Sequence, residues 1–165
     1  MSTFTAALRP FRATPDRRPS RWVLIGYDQL RPAHPLLTGP SADTGVIYIE
    51  TTAKPARRPY HAQKLVLLIA ALRHDALARG RAGHPVIHHV SDQWYDGALE
   101  EVRVRHGLDV VETLAPAEAE VREALDRLPW LRQHPNSLFV TDAAFYRRVF
   151  AGAATRRLES FYRAA

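Results

Sequence analysis

Two carboxylates, Asp28 and Glu50, each follow a short apolar run, Trp22-Val23-Leu24-Ile25 and Val46-Ile47-Tyr48-Ile49. If those runs are parallel strands, both acids stand beyond strand carboxyl ends, where α/β sheets hold their ligands. Converging carboxylates there accept hydrogen bonds from the ring N–H groups of a heterocycle or from ribityl hydroxyls. They serve equally well as loop caps in solvent, and the residues alone leave both readings open. Trp94 and Tyr95 follow a third apolar run. They either stack on a flat ligand or lead a helix into the core. The segments that would line a crevice are residues 26–30, 50–54 and 90–94.

Other chemistries lack their residues. Gly26-Tyr27-Asp28-Gln29-Leu30 is not a GxGxxG turn, and no Walker loop or GxSxG elbow occurs. On a strand, His84 and His88 share a face while His89 points away, and no third metal ligand stands at a suitable spacing. The chain has no cysteine. That removes disulfides, thiol nucleophiles and cysteine-ligated zinc or iron–sulfur clusters. The net charge is +6, which raises the question of nucleic acid. Arginine supplies nearly all of it, the only lysines being Lys54 and Lys64. Arg9, Arg12, Arg17, Arg18 and Arg21 crowd the first segment against Asp16 alone, and the remainder is close to balanced. Without a basic helix carrying interleaved aromatics, this does not mark a nucleic-acid surface.

The elements that must position these residues follow from periodicity. Residues 1–20, with Pro10, Pro15 and Pro19 and no sustained period, read as a flexible basic tail. Residues 22–25 form a strand buried on both faces and ended by Gly26, and residues 45–50 form a second. After a loop holding Pro55 and Pro59, a helix over 61–79 buries Leu65, Leu68, Ile69, Leu72 and Ala76 as one stripe, until Gly80 and Gly83 stop it. Residues 85–90 are a third strand. Tyr95, Ala98, Leu99 and Val102 stripe a helix ended by Gly107, and residues 109–113 are a fourth strand. Pro116 suits the first turn of a further helix carrying Val121, Leu125 and Leu128, with Trp130 in the core. This alternation predicts an α/β, doubly wound parallel sheet, Rossmann-like or flavodoxin-like, in a single domain. The longest apolar run, residues 65–72, is far short of the ~20 residues that span a bilayer. The expectation is therefore a soluble, cytoplasmic protein with no membrane partner.

Several of these segments resemble one family. Asp28-Gln29-Leu30 is similar to the G-D-Q-L opening of the photolyase-related proteins, the prokaryotic iron–sulfur branch of the photolyase and cryptochrome family. Tyr27 stands where that family has glycine. Glu50 matches the glutamate ending its second strand. His61, Gln63 and Lys64 match its H-H-x-Q-K helix start, with Tyr60 for the first histidine, and Ala71, Arg73 and His74 match the helix that follows. Thr113, Pro116 and Glu118 resemble its T-E-P-G-E-W segment, with Ala119 for the tryptophan. Leu138-Phe139-Val140-Thr141 resembles a family F-L-C-T turn. Gly152 and Leu158-Glu159-Ser160-Phe161-Tyr162-Arg163 resemble G-x5-M-E-x-F-Y-R at the start of an interdomain connection. The likeness covers residues 22–163.

The resemblance implies an amino-terminal antenna domain over 21–150, and over 151–165 the truncated start of a connection to a flavin domain. It implies an antenna chromophore, 6,7-dimethyl-8-ribityllumazine or a related flavin-like ring, with no FAD or iron–sulfur cluster held by this chain. The chromophore residues it implies are Gly26, Tyr27, Asp28, Gln29, Leu30, Glu50, Lys54, Gln63 and Trp94, with no catalytic or metal site. Lys54 takes the place of a second family glutamate. Three functions stay open: a light-harvesting or vestigial antenna module, half of a split DNA photolyase working with a separately encoded flavin-binding domain, and a small nucleotide-binding regulatory domain. Two further expectations follow from the resemblance. DNA is met only indirectly, and Phe150, Leu158, Phe161 and Tyr162 form an exposed patch that favours self-association through 150–165.

Overall fold

A computed structural model describes residues 3–14, 16, 18–57, 60–138, 141, 143–152 and 158–164. Pro15, Arg17, Pro59, Phe139, Val140 and the side chains of Leu158 and Ser160, all used above, lie outside what is described. The first unit, Met1–Pro135, runs α1 (Thr3–Leu8), a 3-10 turn (Arg9–Phe11), β1 (Arg21–Leu24), β2 (Thr44–Thr51), α2 (Ala53–Arg57) and α3 (Ala62–Arg81). It continues with β3 (Val86–Ser91), α4 (Tyr95–His106), β4 (Val111–Leu114), α5 (Ala119–Asp126) and β5 (Leu131–His134). The second unit, Asn136–Ala165, holds α6 (Ala143–Val149) and α7 (Leu158–Ala164). Among the described residues no helix is long and apolar enough to cross a membrane.

The five strands lie in the order β3-β2-β1-β4-β5, every neighbouring pair parallel. Alternation along β2 divides its side chains between two cores. Val46 and Tyr48 pack with Leu72 and Ala76 of α3, while Ile47 and Ile49 pack with Leu99 and Val102 of α4 and Val121 and Leu125 of α5. Helices cover both faces, as expected of a doubly wound sheet.

The strand order reverses between β1 and β4. These two pair only at Trp22↔Val111 and Val23↔Glu112, so the backbone beyond Val23 needs other partners. Two side chains supply them. Thr113 Oγ1 donates to the Leu24 carbonyl at 2.9 Å. Gln29 Nε2 donates to the Leu114 carbonyl at 2.8 Å, while its Oε1 faces the Gly26 amide at 3.5 Å. Both residues are 1% exposed.

A second lock joins α3 to the sheet. Arg73 reaches the Glu50 carboxylate through Nε at 2.7 Å and Nη2 at 2.6 Å, and His88 Nε2 meets Glu50 Oε1 at 2.7 Å. Burial alone would raise the Glu50 pKa. The hydrogen bonds and charges of His88 and Arg73 outweigh burial and hold it at about 2. His34 is buried beside Arg79, and its pKa is also pushed down, to about 4, first by burial and then by the arginine charge, which favours the neutral ring.

Several expectations need correction. Residues 3–13 are not a flexible tail. Phe4, Leu8 and Phe11 follow an i, i+4, i+7 spacing and dock on α3. Leu8 is fully buried, Phe11 lies where a Cβ on Gly80 would come within 2.5 Å, and the Ala13 amide donates to Val86 O at 3.1 Å, pairing with the β3 edge. The α3 stripe is buried only at Leu72 and Ala76. Leu65 and Leu68 are half-buried and Ile69 is exposed. Pro116 precedes α5 instead of entering it, because Glu118 is the N-cap. Trp130 does pack against the α4–α5 core as expected, though half-buried, with the Arg103 guanidinium 5.4 Å from its ring. The strand β5, Leu-Arg-Gln-His, was not foreseen, since an edge strand with polar residues carries no apolar run. In the second unit Phe150 is 8% exposed and stacks on half-buried Phe161 at 6.2 Å, so of the expected patch Tyr162 alone stands well exposed among the described side chains.

Two outcomes are expected. Gln29→Leu strands the Gly26 amide and Leu114 carbonyl and should cost about 2–4 kcal/mol in urea unfolding; a loss under 1 kcal/mol would show that the staple is dispensable. Stability should also fall with acid in two ranges. Between pH 6.5 and about 4 the unfolded chain protonates His34 while the folded chain does not. Between 4.5 and about 2 the unfolded chain protonates Glu50 first. Glu50→Gln should flatten the lower range, and a urea midpoint that keeps the wild-type acid slope there would refute the assignment.

Candidate functional site

The chain leaves β1 at Leu24 and turns at once toward the reversal point. Gly26 fits because a Cβ there would stand 2.7 Å from Asp28 Oδ1. Asp28 folds back across the crevice, and its Oδ2 accepts the Ala117 amide at 2.7 Å. Its carboxylate thus ties the loop after β1 to the loop after β4.

Beside this tie stands Lys54. The short helix α2 carries it inward to 8% exposure. Its ammonium donates to the Tyr27 hydroxyl at 2.7 Å and to the Glu118 carboxylate. It also lies 4.2 Å from the centre of the Tyr27 ring and 5.7 Å from that of Tyr95. A buried ammonium needs a matching charge, and Glu118 supplies it from the N-cap of α5. The same carboxylate acts on both phenols. Burial, then the hydrogen bond and charge of Glu118, push the Tyr27 pKa upward. Burial, then the charges of Glu118 and Asp28, push Tyr95 upward. Both phenols stay neutral and act as hydrogen-bonding aromatic walls.

These residues border a cleft of about 160 Å³ at the carboxyl end of β2, walled by Tyr27, Lys54, Tyr60, Leu65, Leu68 and Tyr95. Lys54 and Tyr60 also border a recess of about 280 Å³ that reaches Arg57, Trp94 and Glu118. The Arg57 guanidinium lies 3.7 Å from the centre of the Trp94 ring. A hollow of about 30 Å³ that shares Tyr27 and Tyr95 with the cleft and Glu118 with the recess reaches Gly26, Asp28 and Gln29. Together they form an aromatic and aliphatic depression with a charge-matched lysine in its wall. Such a surface suits a flat, largely apolar ring carrying a few polar groups.

Of the residues singled out in the sequence, Tyr27, Glu50 and Lys54 line the cleft, Trp94 lines the recess, and Gly26, Asp28 and Gln29 line the hollow. Leu30 packs into the core on the α3 side of the sheet. Gln63 is exposed at the start of α3, where its backbone amide donates to His61 Nδ1 at 3.3 Å. Asp28 and Glu50 do not converge, one turning to the β4–α5 loop and the other to α3. Lys54 pairs with Glu118 and not with Glu50. The histidines separate as well: His84 Nδ1 contacts Thr44 O, His88 contacts Glu50, and His89 contacts Glu101. No metal-binding group of three exists among the described residues. Sequence reasoning missed Tyr60, Leu65 and Leu68 as walls and Glu118 as the counter-ion. The readable signal was Lys54 in a stretch, residues 51–74, that holds no Asp or Glu, so a carboxylate partner had to come from elsewhere in the chain.

The sequence matches the family model described as deoxyribodipyrimidine photo-lyase-related protein over residues 23–165. No curated protein sequence matches the chain. The matched span includes all of β2–β5, both loops of the reversal point and every wall of the cleft. The chain therefore belongs to the deoxyribodipyrimidine photo-lyase-related protein family.

Proposed function

We propose that this chain is an antenna module that holds a flat, ribityl-bearing ring, such as 6,7-dimethyl-8-ribityllumazine, in the cleft beside Lys54. The observation that carries this reading is an aromatic, mostly apolar cleft at the strand carboxyl ends in a member of this family. The bicyclic ring would lie among Tyr27, Tyr95 and Leu68, and the hydroxylated chain would extend over the recess near Glu118 and Arg57. When bound, the ring supplies light absorption; the protein supplies orientation and exclusion of water. The residues do not fit an iron–sulfur cluster, because the chain has no cysteine. In this reading the chain harvests light and a flavin-bearing domain uses it. The nucleotide-binding alternative gains nothing from the loop geometry, since the Asp28 carboxylate holds the Ala117 amide that a phosphate would seek.

Three variants probe the site. Tyr95→Ala removes an aromatic wall and should weaken lumazine binding about tenfold in a fluorescence titration. Lys54→Glu restores the family's charge but sets a second carboxylate against Glu118, so it should lower both affinity and thermal stability. Wild-type protein that leaves lumazine fluorescence unchanged, or Tyr95→Ala with wild-type affinity, would refute the site. Asp28→Ala should act on stability, by about 1–2 kcal/mol, through the lost tie to Ala117.

A further inference from the structure

An ammonium carries three protons, and two of those on Lys54 are engaged. One goes to the Tyr27 hydroxyl at 2.7 Å and one to the Glu118 carboxylate. No acceptor among the described residues meets the third. The Lys54 side chain is only 10% exposed, so bulk water reaches it poorly, and it borders both the cleft and the recess. An unmatched proton on a charged, nearly buried group is costly, and an acceptor that enters the cleft removes that cost.

A second donor borders the same cleft. Tyr95 opens α4, and its ring centre lies 5.7 Å from Lys54 Nζ, a span that one small ring covers. Its hydroxyl has no hydrogen-bond partner among the described residues. Burial and the nearby carboxylates keep it protonated, so it can donate. The carboxylates at the margin are already engaged, Glu50 by Arg73 and His88 and Glu118 by Lys54. The cleft therefore offers an unmatched N–H and an unmatched O–H to whatever ring lies in it.

We propose that Lys54 and Tyr95 make the cleft selective for flat rings that carry carbonyl oxygens along one edge, the pteridine-2,4-dione class, over rings of the same shape that carry amino groups there. The inference rests on the proposed occupation of the cleft by a flat ring and adds which edge that ring must present. A carbonyl oxygen accepts the third Lys54 proton in a charge-assisted hydrogen bond, which is stronger than one between neutral groups. An amino group in its place sets donor against donor and leaves the ammonium proton unmatched. Because Glu118 balances the lysine charge, the preference requires no anionic ligand. The aromatic walls sort ligands by shape, and the two donors sort them by edge.

The test titrates the full chain with two fluorescent probes of one shape, 6,7-dimethylpteridine-2,4-dione and 2,4-diamino-6,7-dimethylpteridine. The wild type should bind the dione at least about tenfold more tightly than the diamine. Lys54→Met should weaken the dione about tenfold and leave the diamine within about twofold of its wild-type affinity. Tyr95→Phe keeps the aromatic wall and should weaken the dione alone, by about threefold. Combining Lys54→Met with Glu118→Gln removes both charges together, so a dione preference that survives in this folded double variant overturns the proposal even where the single variant unfolds. Equal wild-type affinity for the two rings overturns the edge selection while leaving a flat ring in the cleft. Equal weakening of both rings by Lys54→Met reduces the lysine to a wall and also overturns it. A wild type that binds neither ring removes the proposed occupant, and the selection falls with it.

Discussion

The fold depends on closing the gap where β1 and β4 part. A doubly wound sheet must reverse its strand order somewhere, and here the two strands at that point share only two paired positions. Buried amides and carbonyls beyond them would each cost about 1–3 kcal/mol if left alone. Gln29 and Thr113 answer this cost from within the sheet, and Asp28 answers it at the rim by holding Ala117. The crevice that a ligand would use is therefore built by the side chains that repair the backbone. This explains why Asp28 and Gln29, the residues most suggestive of ligand contact, are spent on structure.

Charge placement then divides the carboxyl end of β2 into two environments. Glu50 turns to the α3 side, where Arg73 and His88 saturate it. Lys54, in the wall of the same cleft, is neutralised by Glu118 from the start of α5. Neither charge is left over for an ionic ligand. What the cleft offers instead is aromatic and aliphatic surface with phenol hydroxyls kept neutral by burial and by Glu118. The discrimination expected from such a wall is by shape and stacking.

The sequence made the central strands and helices legible, because each is a short apolar run or stripe bounded by glycine or proline. Its silence elsewhere has physical causes. The edge strand β5 buries too little to need an apolar pattern. Leu65, Leu68 and Ile69 obey the helical period without reaching the core, since they line a cleft and a groove and do not face the sheet. The three apolar residues of the amino-terminal segment were readable at i, i+4, i+7 but were masked by neighbouring prolines and arginines. The Lys54–Glu118 pair spans 64 positions, and no local rule connects residues so distant. The likeness to a family pointed to loops that border the cleft, and what each residue in them touches required the geometry.

The central claim is that a flat chromophore sits among Tyr27, Leu68 and Tyr95, beside the neutralised lysine. The most direct measurement is an isotope-filtered NMR experiment on labelled protein with unlabelled 6,7-dimethyl-8-ribityllumazine. Contacts from the two ring methyl groups to the Tyr95 ring and the Leu68 methyls are the expected result. Contacts confined to Phe4, Val66 and Leu77, or none at saturating ligand, would contradict the account.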